Sequence, residues 1–151
     1  MKFTEARSQL SQLYSRLKNG GVVVIERNHQ RDVVLANAAE YGRLLEAQAP
    51  FHVEIHAGGE SVAAWIRGLP VHAEGDTIDA AVEGLAAALV DYASTWEKHL
   101  HSAPNHRDNV GYVRRVQLAG SVAAVREMLE KDAAKEAAEY AIEGTAPPAV
   151  A

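Results

Sequence analysis

The sequence predicts an α+β protein in which small antiparallel sheets are joined to amphipathic helices. Three observations predict it. Runs of β-branched or alternating apolar residues occur in two separate clusters, Val22–Leu35 and Phe51–Ala73. Each cluster is followed by a stretch whose apolar residues recur at steps of three and four, the period of a helix with one buried face. Between these stretches stand the residues that stop regular structure: Asn19-Gly20-Gly21, Ala49-Pro50, Gly58-Gly59, Gly68-Leu69-Pro70 and Gly120.

The first 49 residues read as a β-α-β-β-α unit. Lys2-Phe3 is a short extended start, and Thr4 is placed to cap a helix beginning at Glu5. Ala6, Leu10, Leu13, Tyr14 and Leu17 form one stripe along that helix, and Asn19-Gly20-Gly21 ends it. Val22 to Ile25 is a strand, residues 27–30 turn the chain, and Val33 to Leu35 returns it as a hairpin. Asn37, with Glu40 three residues on, is a capping-box variant opening a second helix that carries Tyr41, Leu44 and Leu45.

Proline disfavours helix at the residue before it, so Ala49-Pro50 marks a boundary. Phe51, Val53 and Ile55 then alternate with His52, Glu54 and His56 in a half-buried strand. Val62 to Ile66 is its return, and Val71-His72-Ala73 is a third strand. Thr77 or Asp76 caps a long helix with Ile78, Val82, Leu85, Leu89, Tyr92, Trp96 and Leu100 on one face. After the loop at Ser102–Asn105, residues 108–118 fit either a helix or a strand. Gly120-Ser121 leads into a final helix from Val122 to about Ile142, with Val125, Leu129 and Tyr140 on its apolar side. The tail at 144–151 is expected to be disordered.

Composition narrows the function classes. At 151 residues, with 48% hydrophobic and 23% charged residues, the chain suits one domain or two small ones. It has no cysteine, which removes disulfides, thiol nucleophiles and thiolate metal sites. There is no apolar signal core and no membrane-length run, so a cytoplasmic location without membrane partners is expected. His52 and His56 share a strand face but stand roughly 13 Å apart, too far for one ion. No nucleophile motif, phosphate loop or matched carboxylate pair is present, so neither catalysis, metal nor cofactor is expected. The net charge of −5 is unevenly spread. Residues 1–36 hold six Lys/Arg against three acids, and residues 37–151 hold nine against seventeen. A basic head on an acidic body suits nucleic acid at one end and another partner at the other.

Thr4-Glu5-Ala6-Arg7 with Leu10, the Asn19-Gly20-Gly21 break, Val24-Ile25-Glu26-Arg27, and Leu35 before Ala39-Glu40-Tyr41 come in an order that resembles the prevent-host-death (Phd/YefM) antitoxins. Gly68-Leu69-Pro70, then Glu74-Gly75-Asp76-Thr77 and an alanine-rich helix, resembles the β-β-β-α segment of HicB-type antitoxin domains. It lacks their usual Gly-Cys after Leu-Pro. The first resemblance implies an intertwined homodimer, or a higher oligomer, bound to operator DNA. It also implies sequence beyond the head that neutralises a cognate toxin, with a RelE/ParE-like protein as one candidate and the toxin family left open by the sequence.

The resulting expectation is an antitoxin in four parts: a DNA-binding and dimerisation domain at 1–49, a β-β-β-α module at 50–103, a helical arm at 104–143 and the tail. DNA contacts are expected from Lys2, Thr4, Arg7, Ser8, Arg27, His29 and Arg31, with phosphate attracted to the helix start beside Arg7. Leu13, Tyr14, Leu17, Val24, Tyr41 and Leu45 are the expected dimer interface. Arg114, Arg115, Val125, Leu129 and Tyr140 are the expected toxin contacts, with packing of the final helix on the middle module left open. The competing readings are a stand-alone transcriptional regulator and an oligomerising interaction protein.

Overall fold

A computed structural model describes residues 1–27, 30–59 and 61–143. The chain forms two compact units, one of Met1–Leu44 and one from Leu45 onward.

In the first unit, helices α1 (Phe3–Ser8) and α2 (Leu10–Lys18) precede a two-stranded antiparallel sheet of β1 (Val23–Arg27) and β2 (Gln30–Leu35). The expected single helix is broken at Gln9, whose φ of −112° and ψ of 19° lie off the helical values. The break explains why one stripe does not stay buried. Ala6 and Leu13 are inside with Val23, while Leu10 and Tyr14 face out. Thr4 lies within α1 and does not cap it; Lys2 holds the cap position and makes a short parallel bridge to Glu26. The hairpin register runs Val23–Leu35, Val24–Val34, Ile25–Val33 and then slips, pairing Glu26 with Arg31. One extra residue on β2 produces the bulge.

Helix α3 (Ala38–Gln48) opens where the capping residue places it. Asn37 Oδ1 accepts from Ala39 N at 2.9 Å and Glu40 N at 3.3 Å. Its Nδ2 donates to the carbonyls of Leu17 and Lys18 at 3.2 and 3.4 Å. One amide therefore starts α3 and satisfies the orphan carbonyls at the end of α2.

The second unit is built on a meander of β3 (Val53–Gly58), β4 (Ser61–Ile66) and β5 (His72–Gly75), in the order β3-β4-β5. Helix α4 (Ile78–Thr95) packs on β4 and β5, and ends in a π turn at Trp96–Leu100. Thr77 Oγ1 caps α4 by accepting from Ala80 N at 3.1 Å. Gly75 lets strand and helix meet: a Cβ there would sit 2.6 Å from Ala81 N. Residues 107–118, open between helix and strand in the sequence, form a 3₁₀ turn (Arg107–Asn109) and helix α5 (Val110–Ala119). Gly120, at φ 74°, stops α5, and Ser121 caps α6 (Val122–Glu143) by accepting from Ala124 N.

The arm expected at 104–143 is not separate from the middle module. Val113, Val116, Val125 and Leu129 share one core with Phe51, Ile66, Leu85 and Leu89. The division of the chain also falls inside α3, at Leu44–Leu45, rather than at Pro50. Leu45 and Ala49, on the second-unit side of that division, are both buried. The tail expectation at 144–151 lies outside the described residues.

Candidate functional site

Two surfaces carry the residues singled out by sequence. On the first unit, Lys2, Thr4, Arg7 and Ser8 are all exposed. Arg7 sits in the last turn of the six-residue α1, not at a helix start, so the expected phosphate site on free N–H groups is not built there. Ser8 Oγ already donates to Glu5 O at 2.9 Å. The N-terminus is held along β1, with Glu26 N donating to Met1 O at 2.8 Å and the Met1 ammonium to Val24 O at 3.3 Å. These bonds put Lys2 beside the strand that ends at Arg27. The side chains of Arg27 and Arg31, and His29 altogether, lie outside the described residues. Arg16 and Lys18 on α2 are exposed too and extend the cationic set.

The same unit leaves much of its apolar surface uncovered. Tyr14 is 70% exposed and Leu44 63%, with Leu10, Val34 and Tyr41 also in solvent. Of the expected interface residues, Tyr14 and Tyr41 are available, and Leu17 and Val24 are half-buried. Leu13 and Leu45 are not available: Leu13 is buried in the core of the first unit, and Leu45 is buried as well. Periodicity marked Leu10 as apolar, but only the break at Gln9 turns it outward.

On the second unit the expected toxin contacts divide sharply. Arg115 is buried in an ion pair with Asp132, and Val125 and Leu129 are 0% and 1% exposed. A protein docking on the folded unit cannot reach Arg115 or Val125, and neither lines the surface groove to which Leu129 contributes. Arg114 is half-buried: it lies 3.8 Å from Glu97, donates to Gln117 and stands 5.8 Å over the Trp96 ring. Tyr140 is half-buried near the end of α6. The outer face of the meander carries Glu54, which accepts from Trp65 Nε1 at 2.7 Å and from the Arg67 guanidinium. That hydrogen bond from Arg67 holds the Glu54 carboxyl below the usual glutamate range, with burial opposing and Trp65 assisting. His52 Nδ1 lies 3.3 Å from a Glu136 oxygen. Among the described residues no group of three or more His, Asp or Glu is arranged to hold a metal ion. Among the same residues no helix is long and apolar enough to cross a membrane.

A family model described as PHD-like, antitoxin of toxin-antitoxin, RelE/RelB, TA system, matches residues 1–134. The chain belongs to this antitoxin family. Its fold is also that of a solved structure from Syntrophomonas wolfei subsp. wolfei, described as the antitoxin part of a candidate toxin/antitoxin system. The two share 21% identity at a TM-score of 0.71, over 85% of this chain and 94% of the other. No curated protein matches the chain. Membership of an antitoxin family implies a toxin partner and fits a regulatory rather than an enzymatic role. It also accounts for a molecule whose conspicuous features are surfaces.

Proposed function

We propose that this antitoxin neutralises a RelE-type toxin through the unit from Leu45 onward, while the first unit, as a homodimer, binds operator DNA and represses its own operon. The observation that carries the DNA half is the combination found on Met1–Leu44. A unit of that size buries too little apolar surface to be stable alone. It exposes Leu10, Tyr14, Val34, Tyr41 and Leu44, and it also presents Lys2, Arg7, Arg16 and Lys18 to solvent. A second copy covering the apolar residues doubles the cations and gives them two-fold symmetry, the arrangement that reads a palindromic site.

The order of bridge, helix, hairpin and helix in this unit supports the Phd/YefM-like reading. The β3-β4-β5-α4 order supports HicB-like ancestry for the second unit. On DNA, Lys2, Thr4 and Arg7, with Arg27, His29 and Arg31 from the hairpin, supply positioning and base contacts. On the toxin side, Arg114 and Tyr140 are the half-buried members of the expected set, and Leu129 lines an apolar groove.

Co-expression with the untagged product of the neighbouring gene tests both halves. A small growth-inhibiting protein that co-purifies in fixed stoichiometry, together with salt-sensitive binding of the complex to its own upstream DNA, is the expected result. DNA binding without any protein partner would instead favour a stand-alone regulator. Failure to bind that DNA would remove the operator role.

A further inference from the structure

We infer that the toxin, on the reading proposed above, docks in an apolar groove between β3, the start of α4 and the middle of α6, through an apolar segment carrying a Lys or Arg. The groove encloses about 490 Å³. Val53 and Ile55 of the strand, Ile78 and Val82 of α4, and Leu129 and Ala133 of α6 form its walls. No residue of β4 or β5 lines it, so it lies on the side of the sheet where β3 has no neighbouring strand among the described residues. Ile78 stays 55% exposed although it opens the apolar stripe of α4. A side chain of that size left in solvent beside a concave apolar surface suits a partner's apolar group.

Charge identifies the kind of partner. Arg126, at the mouth of the groove, is shared by Asp79, Glu83 and Glu130, with its Nη1 3.2 Å from Glu83 and its Nε 2.9 Å from Glu130. Asp79 and Glu130 line the groove with Arg126, which leaves one negative charge in excess among its lining residues, and Glu83 adds a further carboxylate on Arg126. Those carboxylate side chains are 73%, 53% and 55% exposed. The chain from residue 37 onward carries the same sign, with seventeen acids against nine Lys/Arg. An apolar segment flanked by a cation satisfies floor and rim together. An acidic or wholly polar segment satisfies neither.

Ile78→Glu and Glu130→Lys test this in the full-length protein, with the purified toxin from the neighbouring gene as the probe. Both positions are exposed, so unchanged thermal melting and unchanged promoter binding verify that each variant is folded. Ile78→Glu is expected to weaken toxin binding at least tenfold. Glu130→Lys is expected to slow association and reduce its dependence on salt. Wild-type toxin affinity in both variants overturns the groove while leaving the antitoxin reading intact. Absence of toxin binding by the wild-type chain overturns that reading, and the groove assignment with it. A change of oligomeric state in ultracentrifugation with toxin affinity unchanged gives the groove to a second copy, which also overturns the inference.

Discussion

Arg115 on α5 and Asp132 on α6 form a buried, two-armed ion pair, with side chains only 4% and 2% exposed and nitrogen–oxygen distances of 2.6 and 3.2 Å. Neither group spends its whole capacity on the other. Arg115 Nη1 also donates to Ala49 O at 2.8 Å, and Asp132 Oδ2 accepts from Phe51 N at 2.7 Å. The guanidinium lies 4.6 Å over the Phe51 ring. The pair therefore fastens the chain leading into β3 to two helices more than sixty residues away.

Removing both sides of this pair is expected to cost less than the two single removals added together. Asp132→Asn leaves a buried guanidinium without its countercharge, a loss of about 3–5 kcal/mol. Arg115→Met combined with Asp132→Leu removes both charges but leaves Ala49 O and Phe51 N without partners, at about 1–3 kcal/mol each. The double variant should thus be destabilised by less than the sum of the single changes. Urea unfolding followed by the fluorescence of Trp65 and Trp96, both in this unit, measures the difference.

Asn37 offers a second separation of roles. Asn37→Ala removes both the cap on α3 and the donor to Leu17 and Lys18, and is expected to lower the stability of the first unit by about 1–2 kcal/mol. Asn37→Asp keeps the acceptor for Ala39 N and Glu40 N but loses the donor, so it should fall between wild type and alanine. Hydrogen exchange at Ala39 and Glu40 distinguishes them: protection survives in the aspartate variant and is lost in the alanine one.

The Glu54–Arg67 contact predicts an acid-side effect. Hydrogen bonding from Arg67 depresses the Glu54 pKa in the folded state. The stability it contributes is therefore fully present above the ordinary glutamate value, roughly pH 4.3. It is lost as pH falls through the depressed value. Because Trp65 Nε1 donates to the same carboxylate, tryptophan fluorescence should change over that acid range. In Glu54→Gln the transition should be absent, with the emission at neutral pH near that of the acid form.

Arg7 is the most direct probe of the proposed DNA surface. Arg7→Ala is expected to weaken binding to the upstream DNA and to lower the slope of log affinity against log salt by about 1, the loss of one phosphate contact. Fluorescence anisotropy across a salt series reads both. An unchanged slope with weaker binding would assign Arg7 to a base edge, and unchanged affinity would remove it from the interface.

Local signals made much of this molecule legible. Asn37 with Glu40 announced α3, Thr77 announced α4, and Gly120-Ser121 separated two helices, because caps and stops act over a few residues of backbone. The hairpin and the meander were visible for the same reason: alternation and glycine turns are local. The break at Gln9 was not visible, since Ala6 to Leu17 keep a helical period across it and only packing of Ala6, Leu13 and Val23 selects which of them turn inward. Arg115 and Arg114 are adjacent and chemically identical, and nothing in their neighbourhood distinguishes the buried one from the half-exposed one.

By itself, then, the sequence determined the two β clusters with helices after each, the α+β class, the absence of thiol chemistry and the basic head on an acidic body, all properties of residue type and short spacing. Only the tertiary structure decided that α5 and α6 close the core of the second unit and that Val125 and Leu129 are internal. It also left Leu10, Tyr14 and Leu44 in solvent. The physical reason is that burial is set by partners distant in the chain. Asp132 identifies Arg115 as an interior residue, and it lies seventeen residues away on a different helix.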